Sequence, residues 1–226
     1  STYLGASVSI NGDTVVMGAF GTNSNTGMAR VYERTGTSWY GKATLTASDG
    51  ATGDNFGASV SIDGEYIVIG APGDDQSSSN EGAMYLFEEP TTGWADSTET
   101  QKLSASDAES GDALGSQVSI AGGYAIGSTP YDDESGTYSG SAYLFKKTGS
   151  VWAQQAKLLA SDGASNDYFG WSVSITGNTA LIGAYAEDNT NGIDAGSAYI
   201  FEYVNLPPDP PAITGPTSGK IKVATT

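Results

Sequence analysis

The sequence contains no cysteine and no histidine, and only nine lysines and arginines stand against 26 acidic residues. Without cysteine there are no disulfides, no thiolate metal sites and no cysteine nucleophile. Without histidine, a Ser-His-Asp triad, a Cys-His dyad and a His-ligated zinc site cannot be assembled from this chain. The shortage of positive charge, a net −17, sets aside nucleic acid and anionic membrane surfaces as partners. It favours solubility and the capture of cations or basic partners. No apolar run approaches the ~18 residues that span a bilayer, so direct membrane insertion is not expected. Glycine, by contrast, is abundant, and with Asp, Asn and Ser it punctuates short apolar runs. This is the composition of many short strands joined by tight turns, an all-β chain.

The strands repeat. Leu4-Gly5-Ala6-Ser7-Val8-Ser9-Ile10 returns as Phe56-Gly57-Ala58-Ser59-Val60-Ser61-Ile62, as Leu114-Gly115-Ser116-Gln117-Val118-Ser119-Ile120 and as Phe169-Gly170-Trp171-Ser172-Val173-Ser174-Ile175, at spacings of 52, 58 and 55 residues. After each comes a turn, Asn11-Gly12, Asp63-Gly64, Ala121-Gly122-Gly123 or Thr176-Gly177-Asn178, of the kind that closes a two-residue hairpin. A second apolar strand follows, then a polar loop. A third strand then opens on glycine, as in Gly82–Phe87, Gly140–Phe145 and Gly196–Phe201. Trp39, Trp94 and Trp152 each lead into a more polar fourth strand. Four antiparallel strands in about 50–58 residues make one β-propeller blade. The polarity gradient agrees, because an outermost strand is an exposed edge. Four repeats are visible, at about 4–55, 56–113, 114–168 and 169–204, the last one incomplete. The aromatics of the third strands (Tyr85, Phe87, Tyr143, Phe145, Tyr199, Phe201) and the three repeat tryptophans are expected in the blade core.

Phe56-Gly57 followed by Gly70-Ala71-Pro72 resembles the FG-GAP repeat of integrin α-subunit propellers and microbial surface proteins. The resemblance covers residues 4–204. Its Gly-Ala-Pro becomes Gly18-Ala19-Phe20, Gly127-Ser128-Thr129 and Gly183-Ala184-Tyr185 in the other copies. It implies a non-catalytic, extracellular or cell-surface propeller for adhesion or ligand recognition, with a protein or glycan as partner. The integrin calcium loop between the first and second strands does not carry over. Those turns hold at most one carboxylate, such as Asp13 or Asp63, and calcium needs six to eight oxygens.

In antiparallel blades the 2–3 and 4–1 connections emerge at one end. The 2–3 loops carry Asp74, Asp75, Glu81, Asp132, Asp133, Glu134, Glu187, Asp188 and Asp194. The 4–1 loops carry Asp49, Asp54, Asp107, Glu109, Asp112, Asp162 and Asp167. None of the lysines and arginines lies in these loops; Arg34, Lys146 and Lys147 fall toward the other end or the outer edge. One face is therefore expected to be strongly negative and to be the binding surface. Asp74/Asp75, Asp132/Asp133 and Glu187/Asp188 are the candidate calcium ligands, since adjacent carboxylates in Gly- and Ser-rich loops wrap hard cations. No EF-hand pattern accompanies them. Asp49, Asp54, Asp107, Asp112, Asp162 and Asp167 complete the ligand face. Tyr131, Tyr138, Tyr185 and Phe20 in the same loops suit stacking against sugars or packing between loops.

After Tyr203 the repeat gives way to Asn205-Leu206-Pro207-Pro208-Asp209-Pro210-Pro211, a stiff linker. Residues 205–226 then read as that linker and the opening of an Ig-like or PKD-like domain, so that the chain is a segment of a longer protein. The alternative is that Gly219–Val223, which echoes Gly41–Leu45, completes the last blade. Unclosed propeller ends would favour self-association. Two further functions compete with recognition: a structural component of a surface layer or filament, and a carbohydrate-active propeller using paired carboxylates.

Overall fold

Each Ser-Val-Ser-Ile segment, with its counterpart at Gln117–Ile120, begins a separate antiparallel sheet, and the chain lays the sheets down in order. The computed structural model describes residues 2–189, 192–202 and 219–221. The first sheet is β1 (Ser7–Asn11), β2 (Thr14–Gly18), β3 (Ala29–Thr35) and β4 (Ser38–Thr46). The second is β5 (Ser59–Asp63), β6 (Tyr66–Ala71) and β7 (Ala83–Glu88), closed by β9 (Gln101–Leu103); the intervening β8 (Ser97–Thr98) runs parallel to β4 instead. The third is β10 (Val118–Ala121), β11 (Tyr124–Thr129), β12 (Ser141–Thr148) and β13 (Val151–Leu158). The fourth is β14 (Phe169–Thr176), β15 (Thr179–Ala184), β16 (Ser197–Glu202) and β17 (Gly219–Ile221). The 1–2 turns centre one residue later than the Asn-Gly and Asp-Gly pairs predict. Asn11 pairs with Thr14 and Asp63 with Tyr66, so the first glycine of each turn, at φ +56° and +55°, is the first of its two central residues.

Alternation along the strands places apolar side chains on both faces, and consecutive sheets pack face to face. Val16, Val31 and Leu45 meet Val60, Ile62, Ile69 and Phe87 between the first and second sheets. Val68, Met84 and Leu86 meet Val118, Ile120 and Phe145 at the next junction, and Ile126 and Leu144 meet Ile175, Ile182 and Phe201 at the last. The serines of the repeat knit these layers. Ser9, Ser61 and Ser119 accept, through Oγ, the backbone N–H of Ile62, Ile120 and Ile175 in the following sheet, at 3.1–3.2 Å. Ser7 and Ser59 donate to the carbonyls of Gly57 and Gly115. The glycines follow from the same closeness: a Cβ on Gly70 would lie 1.9 Å from the Gly115 carbonyl oxygen. The backbones touch there, and no side chain fits.

Two expectations are corrected. In the third sheet the residue opposite Gln117 is Ser128, as Gly70 is opposite Ser59. The counterpart of Gly70-Ala71-Pro72 is therefore Ser128-Thr129-Pro130, and Gly127 stands where Ile69 does. Met84 of the second sheet fills that space, 2.2 Å from where a Gly127 Cβ would be. Trp39 is not core. It is 42% exposed, against 6% for Trp94 and 3% for Trp152, because those two face the preceding sheet and among the described residues no sheet precedes the first. The third-strand aromatics of the second, third and fourth sheets are buried. Of residues 205–226, read as linker and new domain, only Gly219–Ile221 lie among the described residues. They pair antiparallel with β16 in the fourth-strand position, Tyr199 opposite Lys220.

Candidate functional site

The acidic loops divide into carboxylates that the fold uses and carboxylates that it leaves outside. Asp54, Asp112 and Asp167 are buried, and each accepts the N–H of the residue three earlier (Ala51, Glu109, Ala164) at 2.6–2.8 Å. They close the turn that feeds the next first strand. Burial is the main cause of their raised pKa values, which for Asp112 reaches about 6 although the Glu109 N–H opposes it. Glu81 is also buried, but it accepts from Ser77 and Ser78, through N–H and Oγ of both, and from the Gln76 N–H. The hydrogen bonds, led by that of the Ser77 hydroxyl, hold its pKa down to about 2.

A second group forms boxes that join neighbouring sheets. The Tyr85 hydroxyl lies 2.8 Å from Asp49 Oδ1 and 2.6 Å from Asp74 Oδ2. Lys102 Nζ sits 2.7 Å from Asp49 and 2.8 Å from Asp74, and 5.2 Å over the Tyr85 ring. Asp49 follows the fourth strand of the first sheet; the other three belong to the second. One repeat later Tyr143, Lys157, Asp107 and Asp132 repeat the box, with Glu134 adding a third carboxylate 2.6 Å from Lys157 Nζ. In the fourth sheet Tyr199 bonds Asp162 at 2.7 Å, Glu187 occupies the Asp74 position, and the register places Lys220 opposite Tyr199 as Lys102 is opposite Tyr85. The first sheet departs from the pattern: Arg30 replaces the tyrosine and bonds Thr44, which replaces the lysine. Burial acts to raise the pKa values of Asp49 and Asp107, but hydrogen bonds from Lys102 and Lys157, then from the tyrosines, bring both below the usual value. The lysines move the opposite way. Burial acts to lower them, and the surrounding carboxylates raise them.

This changes the picture of an uncompensated acidic face. Lys102 and Lys157 start on the fourth strand, outside the loops, and their side chains reach into it. Of the candidate calcium pairs, Asp74 and Asp132 already hold an ammonium. Asp75 turns away to accept the Asn80 N–H, and Asp188 accepts the Asp194 N–H. Asp107, Asp132 and Glu134 converge on the Lys157 ammonium, and among the described residues no group of acidic side chains is placed to hold a metal ion.

Outward, beside exposed carboxylates such as Glu109 and Asp133, lie aromatic rings. Tyr131, Tyr138 and Tyr185 are 39%, 44% and 51% exposed. They belong to one row with Tyr168 and Trp171, which flank Phe169-Gly170 and which the repeat pattern does not mark as part of the ligand face. Tyr168 stacks on Tyr138 at 5.8 Å and on Tyr185 at 5.4 Å, and Trp171 lies 4.5 Å from Tyr185. Phe20 stands apart, stacked on Tyr3. Beside the row, a cavity of about 340 Å3 is lined by Tyr131, Tyr138, Glu109, Asp112 and Asp133. It adjoins a smaller one, about 200 Å3, that reaches Lys157.

Comparison with known proteins agrees with the repeat. The family described as FG-GAP repeat matches residues 39–87, 97–145 and 152–201. Each match begins within four residues of the start of a fourth strand and ends in the third strand of the next sheet, so the repeated unit straddles a junction. No curated protein matches the chain. Among solved structures, a "putative 6-phosphogluconolactonase" from Bacteroides uniformis is 10% identical with a TM-score of 0.44, over 96% of this chain and 70% of that one, a likeness too loose to assign fold or function. With three matches spanning more than half its length, the chain belongs to the FG-GAP repeat family.

Proposed function

We propose that the chain is a non-catalytic ligand-recognition module of a cell-surface or extracellular protein, its four sheets being blades of a β-propeller and its 2–3 and 4–1 loops the binding surface. One observation carries this reading. The loop carboxylates nearest the scaffold are consumed in caps and boxes, while the tyrosine row and its cavity stay exposed on the same loops. Exposed rings in contact with one another are unfavourable to hydrate and suit a partner that covers them. The family supports a binding scaffold, and the lack of histidine and cysteine removes the commonest nucleophile–base pairs.

The test is to present beads coated with the chain to arrays of extracellular proteins and glycans, alongside the Tyr185→Ser/Trp171→Ser variant. Saturable binding that the variant loses supports the proposal. Binding that the variant keeps moves the surface elsewhere, and release of reducing ends from a polysaccharide by the chain overturns the non-catalytic assignment.

A structural role in a layer or filament is favoured by a different observation. Val8 and Ile10 are 63% and 64% exposed, whereas their counterparts Val60, Ile62, Val118 and Ile120 are 5–8% exposed beneath the preceding sheet. A first sheet with this face open has the means to stack on another sheet of its kind.

A further inference from the structure

The boxes show how this molecule itself fills a space bounded by tyrosine and carboxylates. At Tyr85, Asp49 and Asp74, and again at Tyr143, Asp107 and Asp132, the occupant is a lysine side chain. Its ammonium is within 2.9 Å of each carboxylate and its nitrogen is 5.2–5.4 Å over the ring. The cavity beside the aromatic row has the same residue types, Tyr131 and Tyr138 with Glu109, Asp112 and Asp133, and no lysine or arginine in its wall. Glu109, Asp112 and Asp133 also line the adjoining cavity with Lys157, whose ammonium is bonded to Asp107, Asp132 and Glu134 and acts on Asp112 only at longer range. Among the described residues no cation pairs with Glu109, Asp112 or Asp133. The two rings are held in place: Tyr138 is stacked on Tyr168, and Tyr131 stands edge-on to both at 5.8 and 6.2 Å.

We propose that this groove binds a lysine side chain presented by a basic peptide segment of a partner protein. The ammonium lies among Glu109, Asp112 and Asp133, and the methylene stem lies over Tyr131 and Tyr138. The inference deepens the recognition reading and rests on it. Charge decides between occupants. Exposed Glu109 and Asp133, with the turn-closing Asp112 behind them, form no ion pair within the described residues and favour a cation, which a neutral sugar does not supply. They form no group that could hold a metal ion, and the rings beside them give a methylene stem a surface that a divalent metal would not use.

The test is fluorescence anisotropy with a labelled hexalysine peptide, at about 50 and about 150 mM salt to separate local pairing from the diffuse attraction of a net −17 chain. The expected result is saturable binding that persists at the higher salt. Tyr131→Ala/Tyr138→Ala, which leaves the charge unaltered, should weaken it by about tenfold. Glu109→Gln/Asp133→Asn should weaken it as much. Glu65→Gln, on an exposed turn at the opposite end of the sheets, removes one carboxylate and should leave it within about twofold. Thermal midpoints confirm that the variants fold. If the tyrosine variant binds as the wild type does, the attraction is only diffuse and the proposal fails. If cellohexaose displaces the peptide, the groove is a sugar site and the proposal fails. If hexalysine does not bind but an array ligand does, this inference falls while the recognition module stands.

Discussion

At the residue scale, the chain shows two ways to bury a carboxylate. Glu81 is surrounded by donors and its acidity increases; Asp112 has one backbone donor and its acidity falls. The consequence is opposite in sign. Glu81 contributes stability that is present above its ordinary value of 4.5 and is lost as pH falls toward 2. Asp112, with a folded value of about 6 against 3.8, binds more protons folded than unfolded across that interval. Its contribution is present below pH 4 and is lost as pH rises through about 6. Asp112→Asn keeps an acceptor for the Glu109 N–H and removes the charge. We expect it to raise stability at pH 7 by roughly 1 kcal/mol and to leave it unchanged near pH 3.5. Denaturant unfolding at both values checks this, and an equal shift at the two would contradict it.

At the scale of the element, the junction between sheets governs what each strand accepts. The repeat, the strand order and the presence of a hairpin turn after each first strand, though not its centre, were legible in the sequence because each is local and recurs four times. The boxes were not, because Lys102 meets Asp49 and Lys157 meets Asp107 across a junction, about one repeat away in sequence. A retrospective signal exists: Lys102-Leu103-Ser104-Ala105-Ser106-Asp107 and Lys157-Leu158-Leu159-Ala160-Ser161-Asp162 carry the lysine of one box and the aspartate of the next. The misplaced glycine at 127 has a similar origin. The sequence pattern puts glycine at the anchor of the motif, whereas the structure anchors it by the turn at Gly122-Gly123, which puts a serine in the close-contact position. Where the contact is closest, substitution should be severe. Gly70→Ala forces a methyl into the Gly115 carbonyl and should cost about 3 kcal/mol or more. Gly64→Ala, at φ +55° in an open turn, should cost only about 1–2 kcal/mol. Urea unfolding of the pair separates junction packing from turn strain, and equal losses would contradict the distinction.

At the scale of the whole molecule, sheets stacked in chain order place the 2–3 loops beside the 4–1 loops of their neighbours, and so bring the acidic residues of these loops to one end of the sheets. The composition made that face legible but could not say which carboxylates were spoken for. Lysines from the fourth strands pair with Asp49, Asp74, Asp107 and Asp132, and Asp54, Asp112 and Asp167 close turns, while Glu109 and Asp133 stay exposed beside Tyr131 and Tyr138 in the groove proposed to take a partner. On this account the loop face is held by the chain's own ammonium groups. The most direct measurement is thermal unfolding in EDTA and then through a calcium titration at constant ionic strength. The account predicts a midpoint that does not move with calcium, because Lys102 and Lys157 already occupy the carboxylates a metal would need. A midpoint that rises and saturates with calcium would mean that the native state binds the ion in these loops, and would contradict it.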